Sequence, residues 1–164
     1  KEYSKFILAL KEISLSKYSL SEYELNMIMK NIKNYLNNYL VRYKKLEGYK
    51  IIYDYLKEEY TKVLSEFKHS FKETIKQILS IIEAIIKTKE NSKAKTQLYL
   101  VKLLSDIKNI QYEVFNEEKY LNQARKYYLQ AKSIIDENKF NVDDYIILSF
   151  YLNFSVFLYK KERK

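Results

Sequence analysis

Few residues in this chain could do covalent, metal or proton-transfer chemistry. His69 is the single histidine, it stands between Lys68 and Ser70, and the sequence has no cysteine. A lone histidine without a thiolate or a second imidazole cannot build an ordinary structural zinc site. A Ser-His-Asp relay would need His69, and nothing around it marks it for that work. His69 is read as a surface residue. Carboxylates are plentiful, but Glu58-Glu59, Glu117-Glu118 and Asp143-Asp144 are adjacent in sequence. Adjacent helical residues point about 100° apart and do not share a proton-transfer site. Asp143-Asp144 suits a helix start electrostatically instead. With Gly48 as the sole glycine, a glycine-rich phosphate loop is ruled out. The chain reads as a non-enzyme, with no metal and no cofactor expected.

The elements that position these side chains follow from what the composition lacks. Hairpins and sheet corners lean on Gly and Pro, and this chain has one Gly and no Pro in 164 residues. That predicts an all-α fold, a single domain over residues 1–164 made of about six helices with short connections, packed as an antiparallel bundle or superhelix. Phe6, Leu10 and Ile13 place the chain inside a helix at its start. Ser21 with Glu24 three residues later forms a capping box, flanked by Leu20 and Leu25 as a staple, and opens a helix to about Leu46. Gly48 then offers a left-handed exit. Ile75, Ile78, Leu79, Ile82, Ile85 and Ile86 form one stripe on a long third helix, from about Tyr49 to Lys87. Thr88 to Ser92 reads as a polar turn with a cap. A fourth helix reaches about Phe115, a fifth runs from about Glu117 to Asn138, and a sixth runs from Asn141 to the end. Asn141 or Asp143 is its expected cap. Tyr145 to Leu152 is apolar nearly all round, which predicts a deeply buried helix. The stretch Ala124 to Ala131 faintly suggests a tetratricopeptide helix, without a repeat of fixed period.

The net charge is +9, from 30 Lys plus Arg against 21 Asp plus Glu. A basic excess can serve nucleic acid, anionic membranes or acidic ligands. Lys, Asn, Tyr and Ile are all abundant, the bias that an AT-rich genome imposes on any protein, and that bias is taken as the main source of the charge. No Lys/Arg-dense helix face or nucleic-acid motif stands out, so nucleic acid and membrane are disfavoured as partners. No apolar stretch approaches the ~20 residues of a membrane span, and no signal peptide is visible. The absence of cysteine fits a reducing compartment, and a cytoplasmic location is expected.

Leu152-Asn153-Phe154-Ser155-Val156-Phe157 resembles the start of the 14-3-3 family signature L-N-F-S-V-F-Y-Y-E. Four further segments resemble that family in the same order along the chain. Leu20-Ser21 with Glu24 and Asn26 is similar to L-S-x-E-E-R-N, and Ile32-Lys33-Asn34 to Y-K-N. Ile78 to Glu83 is similar to V-L-S-L-L-E. Lys102 to Asp106 followed by Glu113-Val114 is similar to K-M-K-G-D with its later E-V. The resemblance implies nine antiparallel helices, usually dimeric, around a concave groove that binds phosphoserine or phosphothreonine peptides in extended form. It covers roughly the middle two-thirds of that fold. Most of the family's first helix and its last two would lie outside this sequence, leaving the domain incomplete at both ends.

The resemblance also implies a phosphate clamp, and here the chain departs from it. A phosphate carries about −1.5 to −2 charges and needs clustered cations and donors. The family supplies a Lys and an Arg seven residues apart on one helix, plus an adjacent Arg-Tyr pair on another. The lysine falls on Lys33, the arginine on Leu40, and the Arg-Tyr pair on Asn109 and Ile110. Losing two bidentate arginines costs several kcal/mol, at about 1.5–3 kcal/mol for each set of charge-assisted bonds. Lys33, Asn37, Leu40 and Lys44 share a face by spacing, Lys44 falls where the family has another groove arginine, and Lys108 neighbours Asn109. Arg42 points about 200° away from Leu40. Asn153 matches an asparagine that holds the bound peptide's backbone. The expected peptide site is Lys33, Lys44, Asn109 and Asn153. Taken alone, Lys33 is equally a solvated helix lysine, and the alternative for Asn153 is a core amide satisfied inside the bundle.

Three readings of function follow. The first is an adaptor of the 14-3-3 type in which phosphoserine or phosphothreonine recognition is weakened or altered. Its partners would be phosphorylated or acidic peptide segments of other proteins, as the signalling role of the family implies, with a homodimer or heterodimer as the expected assembly. The second is a helical scaffold with a vestigial groove that works through other protein contacts. The third, least supported, is a basic surface for nucleic acid or membrane.

Overall fold

A computed structural model describes residues 2–15, 20–49, 56–88 and 93–161. Within them the chain forms six helices: α1 (Glu2–Leu15), α2 (Glu22–Gly48), α3 (Lys57–Thr88), α4 (Ala94–Phe115), α5 (Glu118–Glu137) and α6 (Tyr145–Lys161). No strand occurs among the described residues. The expected all-α fold is observed.

The capping box forms as read. Ser21 Oγ accepts from the Glu24 N–H at 3.3 Å, while the Ser21 N–H donates to Glu24 Oε2 at 2.7 Å. Two amide donors that helix geometry leaves orphaned are thereby satisfied. Leu25 is buried and Leu20 packs against the core beside it.

Several expected ends differ. Gly48 takes no left-handed turn: α2 runs through it, and the Tyr49 N–H still reaches the Lys45 carbonyl. Nothing crowds Gly48, so the helix meets no obstacle there, and freedom to leave a helix is not an obligation to do so. The left-handed exit falls instead on Asn116, at φ 53° and ψ 36°, whose N–H bonds the Tyr112 carbonyl at 2.8 Å. Asparagine is the residue other than glycine most often found there. The expected start of the third helix at Tyr49 lies partly in 50–55, outside the described residues, as do residues 89–92 of the expected polar turn. The cap position of α4 is Lys93, which makes no side-chain cap bond. Neither Asn141 nor Asp143 caps α6. Asn141 shapes the turn before it, accepting the Asp143 N–H on its side chain and the Asp144 N–H on its carbonyl. Asp144 is the cap, with Oδ1 3.3 Å from the Ile146 N.

Helices α2 and α3 pack antiparallel, as do α4 and α5. Tyr39 meets Phe71 while Tyr43 meets Phe67 between α2 and α3. Phe115 meets Tyr120 while Asp106 meets Tyr128 between α4 and α5. Helices α2, α4 and α6 run parallel, since their polar contacts pair in the same order along each. Lys95 near the start of α4 bonds Glu22 in the first turn of α2 and Asp144 at the cap of α6, both at 2.5 Å. Both carboxylates sit at helix N-termini, where the macrodipole favours negative charge. Hydrogen bonds to Asp144 and then Glu22 raise the Lys95 pKa above the ordinary lysine value, so the clamp stays charged. Helices α2, α4 and α6 are thus aligned at one end, with α4 in the middle, contacting α2, α3, α5 and α6.

The α3 stripe buries Ile75, Ile78, Ile82 and Ile85, but Leu79 is only partly buried and Ile86 is exposed. The α1 residues Leu10 and Ile13 pack inward as expected, while the side chain of Phe6 lies outside the description. His69 is exposed, as read. Helix α6 corrects the expectation of deep burial. Ile146, Ile147, Phe150 and Phe157 are buried, whereas Leu148 is 54% exposed and Leu152 66%. An all-round apolar sequence lacks a polar face to reveal which side turns outward, and α6 meets α4 and α5 on one side only, with Phe150, Phe154 and Phe157 around Tyr128.

This assignment of faces predicts that Phe150→Ala destabilises the protein by about 3–5 kcal/mol in urea unfolding, as a fully buried aromatic does. Leu152→Ala should stay within about 0.5 kcal/mol of wild type, as surface changes do. Similar losses for both would show that α6 is covered on both sides.

Candidate functional site

Helix α4 carries Lys102, Asp106, Asn109 and Glu113 at intervals of three and four, which places all of them on one face. That face looks along the aligned layer toward α2 and α6. Asp106 is the focus. Its Oδ2 accepts from Lys33 Nζ at 3.0 Å and from Lys102 Nζ at 3.1 Å. Its Oδ1 accepts from the Tyr128 hydroxyl at 3.0 Å, and Asn153 Nδ2 approaches Oδ1 at 3.0 Å and Oδ2 at 3.1 Å. Four helices, α2, α4, α5 and α6, therefore send a donor to one carboxylate.

Burial alone would push the Asp106 carboxyl upward, but the charges of Lys102 and Lys33 and their hydrogen bonds overcome it and hold its pKa below the usual aspartate value. Burial lowers the Lys102 ammonium pKa, and the neighbouring Lys33 lowers it further, while Asp106 opposes both. The Tyr128 hydroxyl is pushed well up, first by burial and then by the Asp106 charge, so it remains a donor. Two cations share one carboxylate, and the cluster carries a surplus positive charge. Lys102 is almost fully buried, whereas the Lys33 side chain is 35% exposed.

The carboxylate also orients Asn153. Because ionised Asp106 only accepts, the amide must turn its NH2 inward, which directs Oδ1 away from the cluster. Asn153 is half-buried, and its Oδ1 forms no hydrogen bond among the described residues.

Farther along the same face, Lys44 Nζ pairs with Glu113 at 3.2 Å. Leu40 lies between Lys33 and Lys44 on α2, as Asn109 lies between Asp106 and Glu113 on α4. Leu40 packs partly buried against the core, Ile110 is buried, and Asn109 Oδ1 is buried with no hydrogen-bond partner among the described residues.

Of the residues expected from sequence, Lys33 and Asn153 are thus brought together, and Lys44 and Asn109 follow on the same face. Lys108 is not part of it: two residues from Asp106 along a helix, it points about 200° away. Sequence reasoning missed Asp106, Lys102 and Tyr128 as site residues. The i,i+4 spacing of Lys102 and Asp106 was the available signal. Among the described residues no group of histidine and carboxylate ligands is placed to hold a metal.

Set against protein-family models and curated proteins, the chain matches none.

Removing the Asp106 charge leaves two lysines without their carboxylate, so Asp106→Asn should cost about 3–5 kcal/mol, the usual penalty for breaking a buried pair. The pH dependence has a definite sign. A depressed folded-state carboxylate pKa contributes stability above the unfolded aspartate value, and that stability is lost as pH falls from there through the folded value. Denaturation measured between pH 7 and pH 2 should show this acid-dependent loss in wild type and a smaller one in Asp106→Asn. Parallel curves for the two proteins would remove Asp106 from the account.

Proposed function

We propose that this chain is a divergent adaptor of the 14-3-3 type, binding extended peptide segments with little dependence on phosphate. The observation that carries this reading is the meeting of Lys33 and Asn153 on Asp106. These residues come from segments far apart in sequence, and both were singled out by their resemblance to the family's peptide-binding lysine and asparagine. The aligned α2, α4 and α6 layer supports the same reading, because it puts those segments side by side on one face.

Weak phosphate dependence follows from the charges. The positions that would hold arginines are Leu40 and Asn109, and neither offers a charged fork. The remaining cations are engaged, Lys33 with Asp106 and Lys44 with Glu113. An incoming phosphate must compete with these carboxylates. Backbone recognition is less affected, since Asn153 keeps an outward Oδ1 able to accept a peptide N–H.

The vestigial-scaffold reading has one observation in its favour: Leu148, Leu152, Val156 and Tyr159 leave α6 with an exposed apolar side. Pull-down partners indifferent to Lys33→Glu would select that reading.

Fluorescence anisotropy with matched phosphorylated and unphosphorylated peptides tests the proposal. Both forms should bind within about tenfold of each other, a difference of no more than about 1.4 kcal/mol, and Asn153→Ala should weaken both. Combining Leu40→Arg with Asn109→Arg should raise the preference for the phosphorylated form by about tenfold or more, since each charge-assisted set is worth about 1.5–3 kcal/mol. No binding of either peptide to the wild-type protein would defeat the reading.

A further inference from the structure

The other side of α4 holds a cavity that the peptide reading does not use. It measures about 580 Å³ and lies between α3, α4 and α5. That volume falls within the roughly 300–1,000 Å³ range of pockets that enclose small organic molecules. Its lining is mainly apolar, with Leu79, Leu100, Leu104 and Ile134 among its walls, and Lys108 and Glu83 are the charged groups on it. Leu79, which also packs against the core, and the exposed Ile86 both line this space, which accounts for the incomplete burial of these two members of the α3 stripe.

Lys108 is the chemically informative residue. It is half-buried and forms no salt bridge among the described residues. Its ammonium lies 5.8 Å from the centre of the Tyr120 ring, a contact that leaves N–H donors unused. Burial lowers its pKa, and the charge of Glu83 offsets this only in part. A desolvated cation beside an apolar wall is complementary to a ligand with a charged oxygen head and a hydrocarbon body. Glu83 sets the class of head. With one cation and one carboxylate on the lining, the repulsion from Glu83 falls more heavily on a dianionic phosphate than on a single negative charge.

We propose that this cavity binds a monoanionic amphiphile, with its carboxylate on Lys108 and its hydrocarbon body against Leu79, Leu100, Leu104 and Ile134. The site stands on the face of α4 opposite Asp106 and does not depend on the peptide reading.

Calorimetric titration with decanoate below its micelle concentration, with decan-1-ol as the uncharged counterpart, tests the site. Wild type should bind one decanoate per chain, about tenfold or more tighter than the alcohol. Lys108→Gln should lose that preference while still binding the alcohol, and Ile134→Trp, which narrows the apolar wall, should weaken both. Circular dichroism melting identifies the variants that fold, and if Ile134→Trp does not, Lys108→Gln decides. The proposal is overturned by the absence of saturable one-to-one decanoate binding to wild type, or by an unchanged carboxylate preference in Lys108→Gln.

Discussion

A carboxylate taken out of water must recover its lost hydration from the protein, and the buried Asp106 does so completely. An isolated ion in such a place costs several kcal/mol even after relaxation. Asp106 offsets that cost with two ammonium groups, a phenol and an amide. These donors come from four helices, so the helices cannot slide or rotate independently without leaving a charge unpaired. An apolar contact tolerates a shift of an ångström with a small loss, whereas a charge-assisted hydrogen bond does not. The cluster therefore selects one register among the many that a Leu- and Ile-rich interface would accept.

The consequence is the alignment of α2, α4 and α6. Glu22, Lys95 and Asp144 join the three helices at their N-terminal ends, and Lys33, Asp106 and Asn153 join them again three turns on. Two polar ties at separate heights fix both the translation and the direction of parallel helices. Antiparallel α3 and α5 then fill in with aromatic contacts, Tyr39, Phe67 and Phe71 on one side and Tyr128 with Phe150, Phe154 and Phe157 on the other. The polar ties specify the arrangement, and the apolar area supplies most of the stabilisation.

Much of this was legible before any coordinates. The helices at 22–48, 94–115 and 118–137 follow from periodicity and from the Ser21–Glu24 capping box, all local signals. What escaped was not local. Gly48 invites a helix end but stays helical because nothing opposes continuation, while Asn116 turns left-handed where α5 must fold back on α4. The outward side of α6 was hidden because a helix apolar on every face has no pattern to break the symmetry. Asp106 entered the sequence reading only as the end of the Lys102–Asp106 segment, with no role of its own. Its burial depends on Tyr128 and Asn153, which no spacing rule connects to it. Lys33 and Asn153 were found through resemblance, and their partnership only through packing.

The charges already present on the α2–α4 face limit what an external anion can gain there. Lys44 is largely exposed, and its pair with Glu113 lies in a high dielectric, where ion pairs contribute about 0–1 kcal/mol. Exchanging Glu113 for a phosphate oxygen swaps one screened partner for another, with little net change. Lys33 is less exposed, yet drawing it outward would strip Asp106 of one of its two counter-charges, and the cost would fall on the register of the whole layer. Arginines at positions 40 and 109 would bring charge that no internal carboxylate had claimed, and their absence removes the uncommitted cations. The surplus positive charge of the Lys33–Lys102–Asp106 cluster persists, but as a diffuse attraction without a fork to fix geometry. Directed neutral hydrogen bonds are what such a face has left to offer, and Asn153, whose NH2 is spent on Asp106, keeps its amide oxygen as an acceptor.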